Sequence, residues 1–289
     1  MTAAAPAVRR TRPGPARLIV TVSVIVVVVV AFLLPYLWIF VSSFKAQNAI
    51  FSDVSPLSWA TFWPTNGSFD NWISVIENKN VGTALLNSVI IAVLQVSLTL
   101  ALGCLAAFGL TRVKFRGSRV LFAFILLTFL VPMEALVVPL YSWMGDLGLR
   151  NSLPAVFLPW IASPFALFML RQAFEEIPAE LDEAAYLDGA GPWRVFWHVI
   201  LPNVRSSIVG CGLVVFLFSW NSFLWPLIVN SSSQYEVIQV AVAQSAAPGQ
   251  LPNWGETFAG AMIATIPLVV LFLFAQRHIV QGLASSGMK

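Results

Sequence analysis

Hydrophobic and polar positions along this chain are sorted into long blocks instead of the short alternations of a soluble domain. Six blocks are apolar over about the 20 residues that a helix needs to cross a bilayer; they run over roughly 18–41, 85–110, 120–142, 153–173, 205–229 and 257–277. Between the fourth and fifth blocks the pattern turns polar and then aromatic. Pro178 suits a first helical turn, Glu180, Asp182 and Glu183 put negative charge near the positive end of a helix dipole, and Gly189 is a natural stop. Leu181, Ala184 and Ala185 fall at i, i+3 and i+4 and predict one small, smooth face. After Gly189-Ala190-Gly191, Pro192 opens a second short helix. In it Trp193, Phe196, Trp197 and Ile200 recur at helical spacing as a stripe expected at the membrane surface. Pro202 is expected to end that helix and turn the chain into the fifth block.

Composition gives the blocks their solvent. Of 289 residues 58% are hydrophobic and 10% charged, more apolar surface than a soluble core of this size can bury. The formal net charge of +3 would in a soluble chain raise nucleic acid as a partner. Here the positions of the bases indicate topology instead, with lipid and not nucleic acid as the surroundings. Arg9, Arg10, Arg12 and Arg17 precede the first block; Arg112, Lys114, Arg116 and Arg119 fill the second connection; Arg171, Arg194 and Arg205 flank the fourth; Arg277 and Lys289 follow the last. The opposite side holds only Lys45, Lys79 and Arg150. Both termini and the 178–202 loop are therefore expected on the cytoplasmic side.

The organisation read from this is a disordered basic tail over 1–17, a first transmembrane helix over 18–43, an extracytoplasmic loop over 44–84, and a core of five further helices over 85–289. The first block is read as an uncleaved anchor, because it runs into Pro35-Tyr36-Leu37-Trp38 without a small-residue cleavage site. Trp59, Trp63 and Trp72 in the first outer loop fit either the membrane surface or a partner. The last outer loop, with Ser231-Ser232-Ser233, Pro248-Gly249, Pro252 and Trp254, is polar, turn-rich and free of bases.

Candidate chemistry is sparse. Cys104 and Cys211 lie inside blocks and read as packing residues; His198 and His278 have no ligand spacing around them, so no metal or catalytic residue is predicted. No nucleophile elbow and no phosphate loop occurs, so ATP, if it drives this protein, is bound by a separate subunit. Pro132, Pro139, Pro159, Pro164, Pro226 and Pro267 punctuate the blocks and permit bends. Glu134 is acidic well inside the third block, where a charge costs on the order of 3 kcal/mol and normally faces a cavity or a partner. With Trp220 and Asn221 it forms a candidate polar pathway; a purely structural Glu134 is the equal alternative.

The segment Glu183-Ala184-Ala185, three residues, Gly189, nine residues, Val199, one residue, Leu201-Pro202 resembles the EAA loop of ATP-binding-cassette (ABC) importer permeases, departing only where that pattern has Ile. Asn87-Ser88, Arg112 with Phe115-x-Gly117, Leu147-Gly148-Leu149-x-Asn151, Ile177-Pro178-x-Glu180-Leu181, Asp188-Gly189-Ala190 and Trp220-Asn221-x-Phe223 follow in the order seen in the maltose-type carbohydrate permeases. The resemblance implies an all-α membrane protein of the MetI-like type I importer fold, with six transmembrane helices in the bacterial inner membrane. It implies a homologous second permease subunit, two copies of a cytoplasmic ATPase that binds ATP and Mg, and an extracytoplasmic solute-binding protein reached by the loop at about 230–256. Glu183, Ala184, Ala185, Asp188, Gly189, Leu201 and Pro202 would couple this chain to the ATPase, and the solute would be a sugar or sugar-like compound. An ion-coupled secondary transporter is the alternative; it would be expected to show repeat symmetry and a charged coupling site, neither of which is clear here.

Overall fold

A computed structural model describes residues 15–78, 80–113, 115–246 and 253–286, without the side chains beyond Gln276. The tail before Pro15, Lys79, Lys114, the segment with Pro248-Gly249 and Pro252, the side chains of Arg277 and His278, and Lys289 lie outside the described residues. Every regular element among those described is helical.

The first helix, α1 (Pro15–Ser42), starts three residues before the first apolar block and stands apart from the bundle, its apolar side chains exposed from Leu18 to Leu37. Only its end packs inward, where Trp38 meets Phe258. The connection that follows is a small folded unit containing α2 (Gln47–Ser52) and α3 (Asp70–Asn78). Lys45, 3% exposed, forms a 3.0 Å ion pair with Asp53 and donates to the carbonyls of Ala60 and Thr61. Asn71 Nδ2 donates to the carbonyls of Ser43 and Lys45, and the Trp72 indole N–H donates to Ser43 Oγ. Trp72 thus belongs to the unit's interior, whereas Trp59 and Trp63 are exposed.

The central post is α4 (Val81–Arg112), whose residues enter all three buried clusters of the bundle. Its neighbours approach closely: a Cβ on Gly103 would lie 2.8 Å from Leu170 Cδ1. The next two apolar blocks are broken. Helices α5 (Ser118–Thr128) and α6 (Met133–Asp146) meet at 96°; α7 (Leu153–Phe157), extended by a tight turn to Trp160, meets α8 (Pro164–Glu175) at 48°. Pro132 and Pro164 sit at the two restarts, where a missing N–H and a restricted preceding residue stop a helix from running through. Ser163 Oγ accepts the Ala166 N–H and caps the second restart.

A loop carrying α9 (Ala179–Leu187), α10 (Pro192–Val195) and α11 (Leu201–Asn203) leads into α12 (Arg205–Trp220) through a 76° bend. The fifth block breaks again at Trp220 and resumes as α13 (Leu224–Val229); α14 (Ile238–Ser245) lies in the following loop, and α15 (Trp254–Ser286) closes the bundle. Among the described residues three helices, α1, α4 and α15, are long and apolar enough to cross a membrane alone, and the count there reaches six if each bent pair is one span.

Cys104 and Cys211 are both buried among Ala107, Phe108, Leu170 and Phe174, as small packing residues.

Candidate functional site

The 178–202 loop folds as two helical pieces around a glycine corner. Extended backbone at Pro178 precedes α9, and Glu180 and Asp182 stand in its first turn. At the other end Gly189 adopts φ +79°. Its N–H donates to the Tyr186 carbonyl at 3.0 Å and the Ala190 N–H donates to the Ala185 carbonyl at 2.9 Å. This pair of bonds is the Schellman closure, which needs a left-handed residue at the corner. Nothing lies within 4 Å of where a Cβ on Gly189 would sit, so the backbone conformation requires the glycine and crowding does not.

One side of α9 faces the bundle and the other faces outward. Asp182 is 6% exposed, and Ala185 packs partly against the core beside Ala190. Glu180, Leu181, Glu183, Ala184 and Asp188 are exposed, and Leu187 is 89% exposed. The expected face of Leu181, Ala184 and Ala185 is therefore divided: Leu181 and Ala184 are presented, and Ala185 anchors. Leu187 completes the presented surface. It lies three residues after Ala184, a spacing that could have been read from the sequence.

Asp182 holds the helix to the central post. Its Oδ2 lies 2.6 Å from Arg112 Nε at the end of α4, and Arg112 also donates to the Ile177 carbonyl at 3.0 Å. The other carboxylate oxygen, Oδ1, is buried without a hydrogen-bond partner among the described residues. Burial consequently pushes the Asp182 carboxyl up from its ordinary value; Arg112 opposes that and neighbouring Glu183 adds to it. Nothing in the sequence pattern around Arg112 marks Asp182 as its partner, because 70 residues separate the two.

The aromatic stripe after Gly191 does not form one surface. Phe196 and Ile200 are buried, with Phe196 edge-on to Phe108 at 5.2 Å, whereas Trp193 and Trp197 are exposed. Nor does Pro202 end the helix. A wide turn over Phe196–Ile200, in which the Leu201 N–H donates to the Phe196 carbonyl, accommodates the proline near the start of α11, and the chain bends at Val204. Leu201 packs against the core and Pro202 is exposed.

The three pathway candidates separate. Glu134 is exposed in the first turn of α6, just past the 96° break within the third apolar block, at the positive end of a helix dipole. Asn221 is exposed and its amide donates back to the Leu217 carbonyl at 2.8 Å. Trp220 is 1% exposed, donates to the Ala264 carbonyl at 3.1 Å and stacks on Phe216. Adjacent helical residues point about 100° apart, so the ring enters the core while the amide faces out.

Away from the 178–202 loop, polar residues tie the 230–238 segment to α4 and to the connection between α6 and α7. Asn87 Nδ2 donates to the carbonyls of Gln234 and Glu236, and Ser88 Oγ accepts the Ile238 N–H. Asn151, at φ +56°, accepts on Oδ1 from Ser231 N, Ser231 Oγ and Ser232 N. Trp254 folds back onto Phe51 and Phe258.

Residues 99–285 match the family described as the binding-protein-dependent transport system inner membrane component. The lactose transport system permease protein LacG of Rhizobium radiobacter is 35% identical over 252 residues, 82% of this chain and 92% of that one. The trehalose transport system permease protein SugB of Mycobacterium tuberculosis is 34% identical over 260 residues, 89% of this chain and 92% of that one. In fold the chain is similar to a subunit of a bacterial ABC transporter involved in the import of the acidic polysaccharide alginate, with TM-score 0.78 at 22% identity over 92% of this chain and 98% of that one.

Proposed function

This chain belongs to the binding-protein-dependent transport system inner membrane components, and from that premise we propose that it carries a neutral sugar across the membrane, driven through the 178–202 loop. It is the non-catalytic permease component of an ABC importer, and the ion-coupled reading is set aside. The single observation that supports the driving mechanism is the construction of α9. Its inner side is fixed to α4 by the Arg112–Asp182 pair, and its outer side offers Glu180, Glu183, Ala184 and Leu187.

A short helix held this way moves as a body with the spans on either side of it. A cytoplasmic ATPase that receives Glu183, Ala184 and Leu187 would pull on α4 through Asp182 and on α12 through Leu201 and Pro202. Gly189 and Asp188 set the angle between the two pieces. Two such ATPase copies would bind the ATP and Mg, a homologous second permease would complete the membrane half, and a solute-binding protein would deliver the sugar to the opposite face. The sugar class rests on the relatives' substrates, lactose and trehalose. Asn221 and Glu134, exposed at breaks in the helices, belong to the pathway in this reading, and Trp220 supports them from the core.

Reconstitution with the companion permease, ATPase and binding protein tests it. Sugar uptake should require ATP and survive collapse of ion gradients. Gly189→Trp or Glu183→Trp should abolish uptake while the subunit still assembles, and uptake that persists at the wild-type rate would reject the docking role.

A further inference from the structure

Between α13 and α14 the chain is neither helix nor strand apart from one tight turn at Ser233–Tyr235, so most of its backbone groups have no ladder to satisfy them. Side chains from distant parts of the chain do so instead. The carbonyls of Gln234 and Glu236 both accept from Asn87 Nδ2 at 2.9 Å, and that of Tyr235 accepts from Asn230 Nδ2 at 3.1 Å. The N–H groups of Ser231 and Ser232 donate to Asn151 Oδ1 at 2.6 and 3.1 Å, and that of Ile238 donates to Ser88 Oγ at 2.8 Å. Asn230 also accepts the Ser152 N–H at 3.1 Å and donates to the Ser152 carbonyl at 3.4 Å, which joins the segment to the start of α7.

A connection between two helices needs only its ends held, yet this one is pinned along its whole length. Asn87 and Asn230 are buried to do it, each 6% exposed. What stays free is the outward side, where the side chains of Ser233 and Gln234 are exposed. A fixed backbone that presents free side chains suits a receiving surface, because the ordering cost of binding is met before the partner arrives. The position in the membrane agrees. Asn87 and Arg112 lie 25 residues apart on the continuous helix α4, about 37 Å at the helical rise and longer than a hydrocarbon core of about 30 Å. The pinned segment and the 178–202 loop are therefore held at opposite ends of one spanning helix.

We infer that Asn87, Asn151 and Asn230 are positioning residues for solute delivery: they hold 231–236 in one shape, so that the solute-binding protein meets Ser233 and Gln234 as a ready-made surface. The inference rests on the importer reading given above. The three amides have different parts. Asn87 serves as a donor, since both of its partners are carbonyls, and Asn151 serves through its oxygen, which takes the Ser231 hydroxyl as well as two N–H groups. Asn151 further occupies φ +56°, a conformation open to Asn, Asp and Gly and costly for most other residues. A segment released from these bonds would populate many shapes, and its apparent affinity for a partner would fall by the fraction that remains competent. Sequence pattern carries no sign of the arrangement, because 147 residues separate Asn87 from Gln234.

The test uses the assembled complex in vesicles, with ATP inside and the solute-binding protein titrated outside. Wild-type uptake that does not depend on the binding protein would reject the importer reading and this inference with it. Asn87→Asp sets a carboxylate against two carbonyls and should raise the half-saturating concentration of binding protein about fivefold or more, the factor for one hydrogen bond of ordinary strength. Maximal uptake should stay at the wild-type level. Asn151→Asp keeps the accepting oxygen on an exposed residue and should change neither quantity, whereas Asn151→Gly keeps the backbone conformation, removes the oxygen and should repeat the effect of Asn87→Asp. A loss confined to maximal uptake, or equal losses with Asn151→Asp and Asn151→Gly, would overturn the inference and leave the importer reading intact. Where Asn87→Asp fails to assemble, Ser233→Trp decides, since it leaves the clamp's hydrogen bonds in place and should raise the half-saturating concentration. No change there would overturn the inference. So would loss of the companion subunit from the Ser233→Trp complex, because that subunit and not the binding protein would then cover the surface.

Discussion

At the scale of single residues, Arg112 and Asp182 form the contact on which the loop's orientation depends. Removing one partner of a buried pair leaves the other uncompensated, whereas removing both can be close to neutral. Arg112→Leu should therefore destabilise the subunit by about 3 kcal/mol and Arg112→Leu with Asp182→Leu by about 1 kcal/mol or less. Thermal unfolding of the purified complex supplies the four corners of the cycle, and additive effects would show that the pair carries no coupling. Protonation bears on the same contact. Because burial raises the Asp182 carboxyl above its ordinary 3.8, the folded chain takes up this proton more readily than the unfolded one. The group's contribution to stability is full below that ordinary value and is lost as pH rises through the raised one. Asp182→Asn should remove this part of the pH dependence. Gly189 differs in kind: its position demands a left-handed backbone, and that demand was legible in the sequence because few other residues adopt it.

At the scale of elements, α9 shows how far periodicity reaches. Spacing identified a helix with an acidic start and a glycine stop, and both are present. Spacing did not identify which side faces out, because Ala184 and Ala185 are equally small and either could pack. Burial of Asp182 decides it, turning Ala185 inward and Leu187 outward. Single cysteines at Ala184 or Leu187 should thus crosslink to the ATPase much faster than one at Ala185. Equal rates at all three positions, read from gel-shifted product over time, would mean that the helix rolls when it docks. The aromatic piece teaches the same lesson. Trp193, Phe196, Trp197 and Ile200 share a helical spacing, yet a bend and a widened turn place the second and fourth in the core.

For the whole molecule, the arrangement of bases predicts a single orientation, with the loop at 178–202 on the same side as both termini. Cysteine-accessibility labelling in cells should find Ser118 and Glu176 inside and Ser232 outside, and the reverse pattern would reject it. What the amino-acid sequence determined alone was the solvent, the number of apolar blocks, the family and the glycine-cornered build of the 178–202 loop. Those properties follow from local composition and from spacings within about 20 residues, where chain geometry leaves few options. Tertiary structure alone decided the rest: the partner of Arg112, the burial of Trp220, the clamp of Asn87 and Asn151 on the 230–237 loop, and the placing of Gln95 and Ser219 around one cleft at the broken helices. Each joins residues distant in the chain, and apolar blocks that look alike in sequence carry no mark of which neighbour they will pack against until the prolines bend them and the few buried polar groups find, or fail to find, a partner.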